Sequence, residues 1–115
     1  MLFHPSANKI SSYAEHHNLK KLLPMVADKD ASVRAEVAAA LGTFQEDDAY
    51  NQLIGLLRDP EPQVQIAAVK ALQNQCYATA ADHVKHLMNT TDNEELKKAC
   101  AQAHAAIVEK HGHSL

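Results

Sequence analysis

The stretch DKDASVRAEVAAALG, at residues 28–42, returns twice along the chain with the same order of residue types. The second copy is DPEPQVQIAAVKALQ at 59–73, and a fainter third copy is TDNEELKKACAQAHA at 91–105. A chain that repeats itself about every thirty residues is built as a stack of similar units and not around one irregular core.

An apolar segment precedes each copy, at residues 22–26, 53–57 and 84–88. In both halves of a unit, apolar residues recur at three- and four-residue spacing, which is the pattern of a helix with one buried face. Each unit is therefore predicted to be a pair of helices, joined by a short turn that an acidic residue opens. The sequence predicts an all-α fold.

The pattern D-x-x-x-x-V-R-x-x-x-A-x-A-L-G resembles a HEAT repeat, in the short form found in bilin-lyase-like repeats, and the resemblance covers residues 19–107. It implies a right-handed α-solenoid, an α–α superhelix of about three HEAT-like hairpins. It also implies that Asp28 and Arg34 match the turn aspartate and helix arginine that members of this family ladder between neighbouring units.

The second and third copies depart from this ladder. The second copy keeps Asp59 but carries Gln65 at the position of the arginine. The third copy has Thr91 or Asp92 at the turn and Lys97 at the helix position. The ladder is therefore expected only where the first repeat meets the second.

The repeats divide one domain, residues 1–115, into consecutive parts. These are an N-terminal cap at 1–15, repeat one at 16–43, repeat two at 46–75, repeat three at 78–110 and a tail at 111–115.

Within these parts we predict several helix boundaries. The first helix of repeat one should span 16–27, and Pro24 should either kink it or push its true start towards the N-terminus, because proline lacks a backbone N–H. Asp59 should cap the helix that Pro60 begins. Thr91 and Glu94 should form a capping box for the last helix. Most of the burial is expected from the larger side chains Leu22, Leu53, Leu56, Leu72 and Leu87.

Charge and composition narrow the classes of function. The net charge is −3 with histidine neutral, which argues against nucleic acid because phosphate contacts need a basic surface. No signal peptide or membrane span is visible, so we expect a cytoplasmic protein. Cys76 and Cys100 suit a reduced compartment better than a disulfide framework.

Residue types that carry chemistry are present, but not in catalytic patterns. His83 and His86 lie near one helix face, yet a zinc site needs further convergent ligands. Neither Cys76 nor Cys100 has a base and an orienting partner at recognisable spacing. We therefore expect no enzyme activity, no cofactor and no bound metal.

The candidate binding surface follows from the resemblance, which implies that the second helix of each unit lines a concave face. Outward positions on these helices are mostly small or mildly apolar, with lysines to one side, and such a groove suits a helix or peptide from another protein. The predicted partner-binding residues are Ala35, Glu36, Ala39, Ile66, Lys70, Lys98 and Gln102.

We predict a noncatalytic scaffold or adaptor that binds a protein or peptide, without nucleic acid and without a membrane. The alternative is a subunit or helper of an enzyme, resembling bilin lyases or a metal-dependent HEAT-repeat relative, in which His83, His86 and the two thiols are the candidates. DNA binding is a third hypothesis, and the net negative charge of the chain argues against it. Leu2 and Phe3 at the open end of the stack also suggest a homodimer.

Overall fold

The fold is a row of helical hairpins placed side by side. The computed structural model describes residues 5–112. The helices are α1 (Pro5–Glu15), α2 (Leu19–Leu22), which runs into a 3-10 helix (Leu23–Ala27), α3 (Ala31–Leu41), α4 (Asp47–Leu56), α5 (Pro62–Leu72), α6 (Ala80–Thr90) and α7 (Glu94–Gly112). The predicted all-α solenoid is confirmed.

Two layers of helices build this row. The first helices of the repeats are α2 with its 3-10 extension, α4 and α6, and the second helices are α3, α5 and α7. α3 packs on α5 and α5 packs on α7, so the second helices form a continuous layer. The molecule measures 46 × 31 × 20 Å, as expected for units stacked in one direction.

The first helix of repeat one differs from the predicted span of 16–27. It begins only at Leu19, where the Asn18 side chain accepts a hydrogen bond from the Lys21 N–H. At Leu23 the α-helix changes to a 3-10 helix that has Pro24 in its first turn. Because proline cannot donate a backbone hydrogen bond, the chain tightens here and the predicted single kinked helix does not form.

A side chain at the same place in each repeat folds the turn between the two helices. Asp28 Oδ1 accepts from the Asp30 N–H and Asp59 Oδ2 from the Glu61 N–H, both at 2.9 Å. In the third repeat Thr91 Oγ1 accepts from the Asn93 N–H at 3.1 Å. Thr91, and not Asp92, is therefore the turn residue of that repeat.

Two predicted helix starts are wrong because the side chains of Asp59 and Thr91 are used in the turns before the helices. α5 begins at Pro62 and not at Pro60, because the Asp59 carboxylate closes the turn before the helix and does not cap it. α7 is capped by Asn93, whose Oδ1 accepts from the Leu96 N–H at 2.8 Å, so the predicted Thr91 capping box does not form.

The core runs along the whole stack between the two layers. Leu22, Leu53 and Leu72 are buried as predicted, and Leu56 is nearly so. Leu87 is only partly buried, which corrects its predicted place in the core. The largest fully buried side chain is that of Phe44, between repeats one and two.

Both ends of the stack can be compared with the predictions. Ile10 on α1 is buried and Tyr13 packs against the core, so α1 covers repeat one. The predicted contacts of Leu2 and Phe3 lie outside the described residues. The predicted tail begins too early, since His111 and Gly112 still belong to α7.

No described helix has the length and apolar character needed to cross a membrane.

Candidate functional site

The exposed face of α3, α5 and α7, which we call the second-helix face, carries two adjoining depressions. One, of about 330 Å³, lies between α3 and α5 and is lined by Ala39, Gln63, Ile66, Ala67, Lys70, Ala71 and Asn74. The other, of about 300 Å³, lies between α5 and α7 and is lined by Ile66, Lys70, Glu95, Lys98, Ala99 and Gln102. Ile66 and Lys70 are the wall that the two depressions share.

The predicted binding residues fall into two groups on this face. Most of them line the depressions: Ala39, Ile66, Lys70, Lys98 and Gln102. Ala35 and Glu36 line neither. Ala35 is partly buried against the core, and Glu36 is exposed. The depressions lie beside the later turns of α3, which is why residues from its middle are not part of them.

The shared wall combines an apolar centre with free positive charge. Ile66 is half-buried against the core while its remaining surface lines both depressions. Lys70 and Lys98 are exposed, and the ammonium group of neither forms a hydrogen bond or ion pair with another described residue. Glu95 is the one carboxylate among the residues that line the two depressions. An acidic group on a ligand would meet the lysines without displacing an existing partner.

The ladder predicted between repeats one and two is present. Arg34 Nε donates to Asp59 Oδ1 at 2.7 Å and Nη2 donates to Oδ2 at 3.1 Å, so the pair is bidentate. Arg34 Nη1 also donates to the Asp28 carbonyl of its own turn at 2.8 Å. The guanidinium therefore ties the turn of repeat one to the turn of repeat two. We call this contact region the first junction.

The Arg34–Asp59 pair shifts the pKa of each group in the direction that favours its charged form. The hydrogen bond to Asp59 raises the pKa of the Arg34 guanidinium above its ordinary value. Burial by itself would raise the pKa of the Asp59 carboxyl, but the hydrogen bonds from Arg34 and the Glu61 N–H outweigh burial and hold that pKa below its ordinary value. Asp59 is therefore a carboxylate at neutral pH.

Between repeats two and three, which we call the second junction, the ladder is absent. Gln65 Nε2 donates to the Leu57 carbonyl of its own repeat at 2.8 Å, as Arg34 does to Asp28. The side chain of Gln65 is shorter than that of Arg34 and ends at this carbonyl. Thr91, in the turn of repeat three, carries no charge. A cleft of about 250 Å³ opens here between α4 and α6, which we call the α4–α6 cleft. It is lined by Ile54, Leu57, Arg58, Gln65, His83, His86, Leu87 and Thr90.

The histidines and cysteines named from the sequence are placed apart. His83 and His86 are exposed on α6, at the α4–α6 cleft. Within residues 5–112 no three side chains of His, Cys, Asp or Glu are grouped so that they could hold a metal ion. Cys100 is buried, and burial raises the pKa of its thiol, whereas Cys76 is exposed on the connection before α6. The structure does not bring either thiol to the histidine pair.

Sequence reasoning missed a set of polar contacts at the ends of the second helices. Buried Gln75 donates through Nε2 to the Phe44 carbonyl at 2.9 Å, and Tyr77 donates to the Gln45 carbonyl at 2.9 Å and to Asp47. The bond to Asp47 is the main reason that the pKa of Tyr77 is raised to about 12. These residues come after the end of the recognisable repeat pattern in the chain, so no periodic signal in the sequence indicated them.

The sequence model of the family described as HEAT repeats matches residues 19–105, which is most of the chain. No curated protein and no solved structure matches.

Proposed function

This chain belongs to the HEAT-repeat family, and on that premise we propose that it is a noncatalytic scaffold or adaptor module that binds a segment of another protein on its second-helix face. HEAT repeats commonly mediate interactions between proteins. The observation that carries the proposal is the pair of depressions that share Ile66 and Lys70.

The shape of this face favours an elongated ligand. The two depressions lie in line across α3, α5 and α7, so one peptide segment or one helix turn can enter each of them. Apolar side chains of the partner would pack on Ile66, and its polar groups would stay at the rim. A helix that presents apolar residues at three- and four-residue spacing has this form.

The charges of the face favour an acidic partner segment. Lys70 and Lys98 are exposed cations, although the chain as a whole carries a net charge of −3. Such charges at a rim direct approach and orientation more than they add affinity. We therefore propose a partner segment with an apolar centre and acidic residues on one side.

The test compares partner recovery by matched variants. The double variant Ile66→Asp with Lys70→Glu places carboxylates at the shared wall. Lys85→Glu is the control, because Lys85 is exposed on α6 and lines neither depression. Each protein is immobilised, and bound proteins are quantified by mass spectrometry after circular dichroism has shown equal helix content. Recovery of the same partner by wild type and Lys85→Glu, but not by the double variant, supports the proposal. Unchanged recovery by the double variant contradicts it.

Other expectations belong to the same proposal. We propose a cytoplasmic protein that does not bind nucleic acid, on the grounds of the net charge of −3 and the two unpaired thiols. A homodimer through Leu2 and Phe3 stays a prediction, since these residues lie outside the described part of the chain. Light scattering at high protein concentration decides it, and a monomer mass would reject the dimer.

A further inference from the structure

We propose that the α4–α6 cleft is a second docking site, on the opposite layer from the second-helix face, for a short acidic segment of a partner protein. The segment would place a leucine-like side chain in the cleft and an adjacent glutamate or aspartate side chain at its rim. The proposal rests on the origin of the cleft, its lining and its size, and it does not require the second-helix face to bind anything.

The cleft exists where the repeat pattern loses its internal ion pair. At the first junction the guanidinium of Arg34 and the carboxylate of Asp59 close the turn region. At the second junction Gln65 bonds to its own repeat, and Thr91 brings a hydroxyl in place of a carboxylate. The second junction therefore lacks both halves of the pair, and the space beside Gln65 is open.

The lining of the cleft is apolar at its base and basic at its rim. Leu57 is buried, Ile54 and Leu87 are partly buried, and all three line the cleft. Arg58 and the two histidines of α6 are exposed beside them. No aspartate or glutamate is among the lining residues.

Arg58 is the group that gives the cleft its charge preference. It forms no hydrogen bond or ion pair with another described residue through its side chain. A carboxylate that entered the rim would gain a planar, two-pronged donor without competing with a carboxylate of the cleft lining. The arrangement is thus complementary to an acid placed next to an apolar group.

The size of the cleft selects an anchor residue and not a large ligand. Its volume is about 250 Å³, below the range of about 300–1,000 Å³ typical of sites for drug-sized molecules. A single leucine side chain with its neighbouring carboxylate fits this space. Nucleic acid fits poorly, because phosphate contacts need a strongly basic surface, whereas Arg58 is the one Lys or Arg in the lining and the chain carries a net charge of −3.

The proposal is tested by NMR with a defined probe, the peptide acetyl-GELEGS-amide. Both of its ends are capped, so its carboxylates are those of glutamate side chains alone. The matched control is acetyl-GQLQGS-amide, which keeps the leucine and removes the charge. We expect the methyl signals of Ile54, Leu57 and Leu87 to shift on titration with the acidic peptide. The uncharged peptide should bind about two- to fivefold more weakly, the range expected for an exposed ion pair.

A double-mutant cycle then assigns the charge effect to one residue. With Arg58→Gln the acidic and uncharged peptides should bind equally, because the partner of the carboxylate is gone. Lys29→Gln is the matched control, because Lys29 is exposed in the turn before α3 and lines neither the α4–α6 cleft nor the depressions of the second-helix face. This variant should leave the difference between the peptides unchanged. Both positions are exposed, so both variants should keep the wild-type fold.

The absence of methyl shifts at the cleft would overturn the proposal, and so would equal binding of the two peptides to wild type. Loss of the difference between the peptides in Lys29→Gln but not in Arg58→Gln would also overturn it. Tighter binding of acetyl-leucine, whose carboxylate is terminal, or a shift of the same methyl signals by a short oligonucleotide, would contradict it as well. None of these results bears on partner recovery through Ile66, so the two proposals fail independently.

Discussion

At the first junction Arg34 crosses to the Asp59 carboxylate, whereas at the second junction Gln65 turns back to a carbonyl of its own repeat. The backbones differ in the same way, since the contact between α3 and α5 is more extensive than that between α5 and α7. One junction is closed by an ion pair and close helix packing, and the other is left with a cleft. The difference arises from single residues in otherwise similar repeats.

The comparison shows how a short solenoid can combine a rigid part with an open part. In repeat proteins each unit contacts only its neighbours, so the properties of a junction are set by the residues at that junction. Ile66 lies on α5, the helix that takes part in both junctions, while the α4–α6 cleft lies at the open junction.

Substitution of leucine by alanine should lower stability more in the buried core than at the α4–α6 cleft. Leu72 on α5 is almost completely buried, so Leu72→Ala should lower the free energy of unfolding by about 2–5 kcal/mol. Leu87 lines the cleft and is only partly buried, so Leu87→Ala should cost less than about 2 kcal/mol. Urea denaturation of both variants gives the two values. An equal cost would mean that Leu87 is as well packed as Leu72.

Two glycines form a second matched pair. A Cβ at Gly42 would lie 2.8 Å from the Ala71 Cβ and 2.9 Å from the Ala71 Cα, so Gly42→Ala should destabilise the closed junction by about 1–3 kcal/mol. A Cβ at Gly55 in α4 would meet nothing within 4 Å, so Gly55→Ala should stabilise the protein by about 0.5–1 kcal/mol through helix propensity. Thermal unfolding should show shifts of opposite sign. Two shifts of the same sign would reject the close approach at Gly42.

The ion pair of the closed junction should make stability depend on pH. The pKa of Asp59 is lowered in the folded protein, so the unfolded chain takes up the proton more readily as pH falls. The stabilisation is present at neutral pH and is lost as the pH falls below about 4. Asp59→Asn should therefore cost about 1 kcal/mol at pH 7 and much less near pH 3. Denaturation of both proteins across this range measures the difference, and a cost that does not change with pH would contradict the assignment.

Installing the missing pair should close the second junction, with the smallest effect on stability. Gln65→Arg and Thr91→Asp together should stabilise the protein beyond the sum of the single variants by about 0.5–1 kcal/mol. The double variant should also bind acetyl-GELEGS-amide more weakly, because the new side chains occupy the space beside the cleft. Additive single effects would show that the two repeats lie too far apart for the pair to form.

Much of the architecture could be predicted from periodic positions. Val33, Val64 and their helices repeat the same apolar spacing, and burial of one face is enough to impose that spacing on the sequence. The resemblance to HEAT repeats implied the Arg34–Asp59 ladder, and its loss at Gln65 could be predicted because the repeats align residue by residue. The clustering of Ile66, Lys70 and Lys98 followed from the same alignment.

The parts that could not be predicted depend on non-periodic contacts. Pro62 begins α5 because Asp59 is engaged by Arg34 and by its own turn, which local helix-start rules do not include. Gln75 lies beyond the aligned segments, and its bond to Phe44 exists only once two hairpins are stacked. The α4–α6 cleft is a separation between helices, and no residue spacing in the sequence encodes it.

Native-state hydrogen exchange, read helix by helix, tests most directly the claim that the two junctions differ. The account predicts that amides in the middle of α7, around Cys100, open at a lower free energy than those of α3 and α5 around Val37 and Ala68, because the second junction has no ladder. It also predicts that Gln65→Arg with Thr91→Asp narrows this difference. Equal opening free energies in α3, α5 and α7, or earlier opening of α3 than of α7, would contradict it.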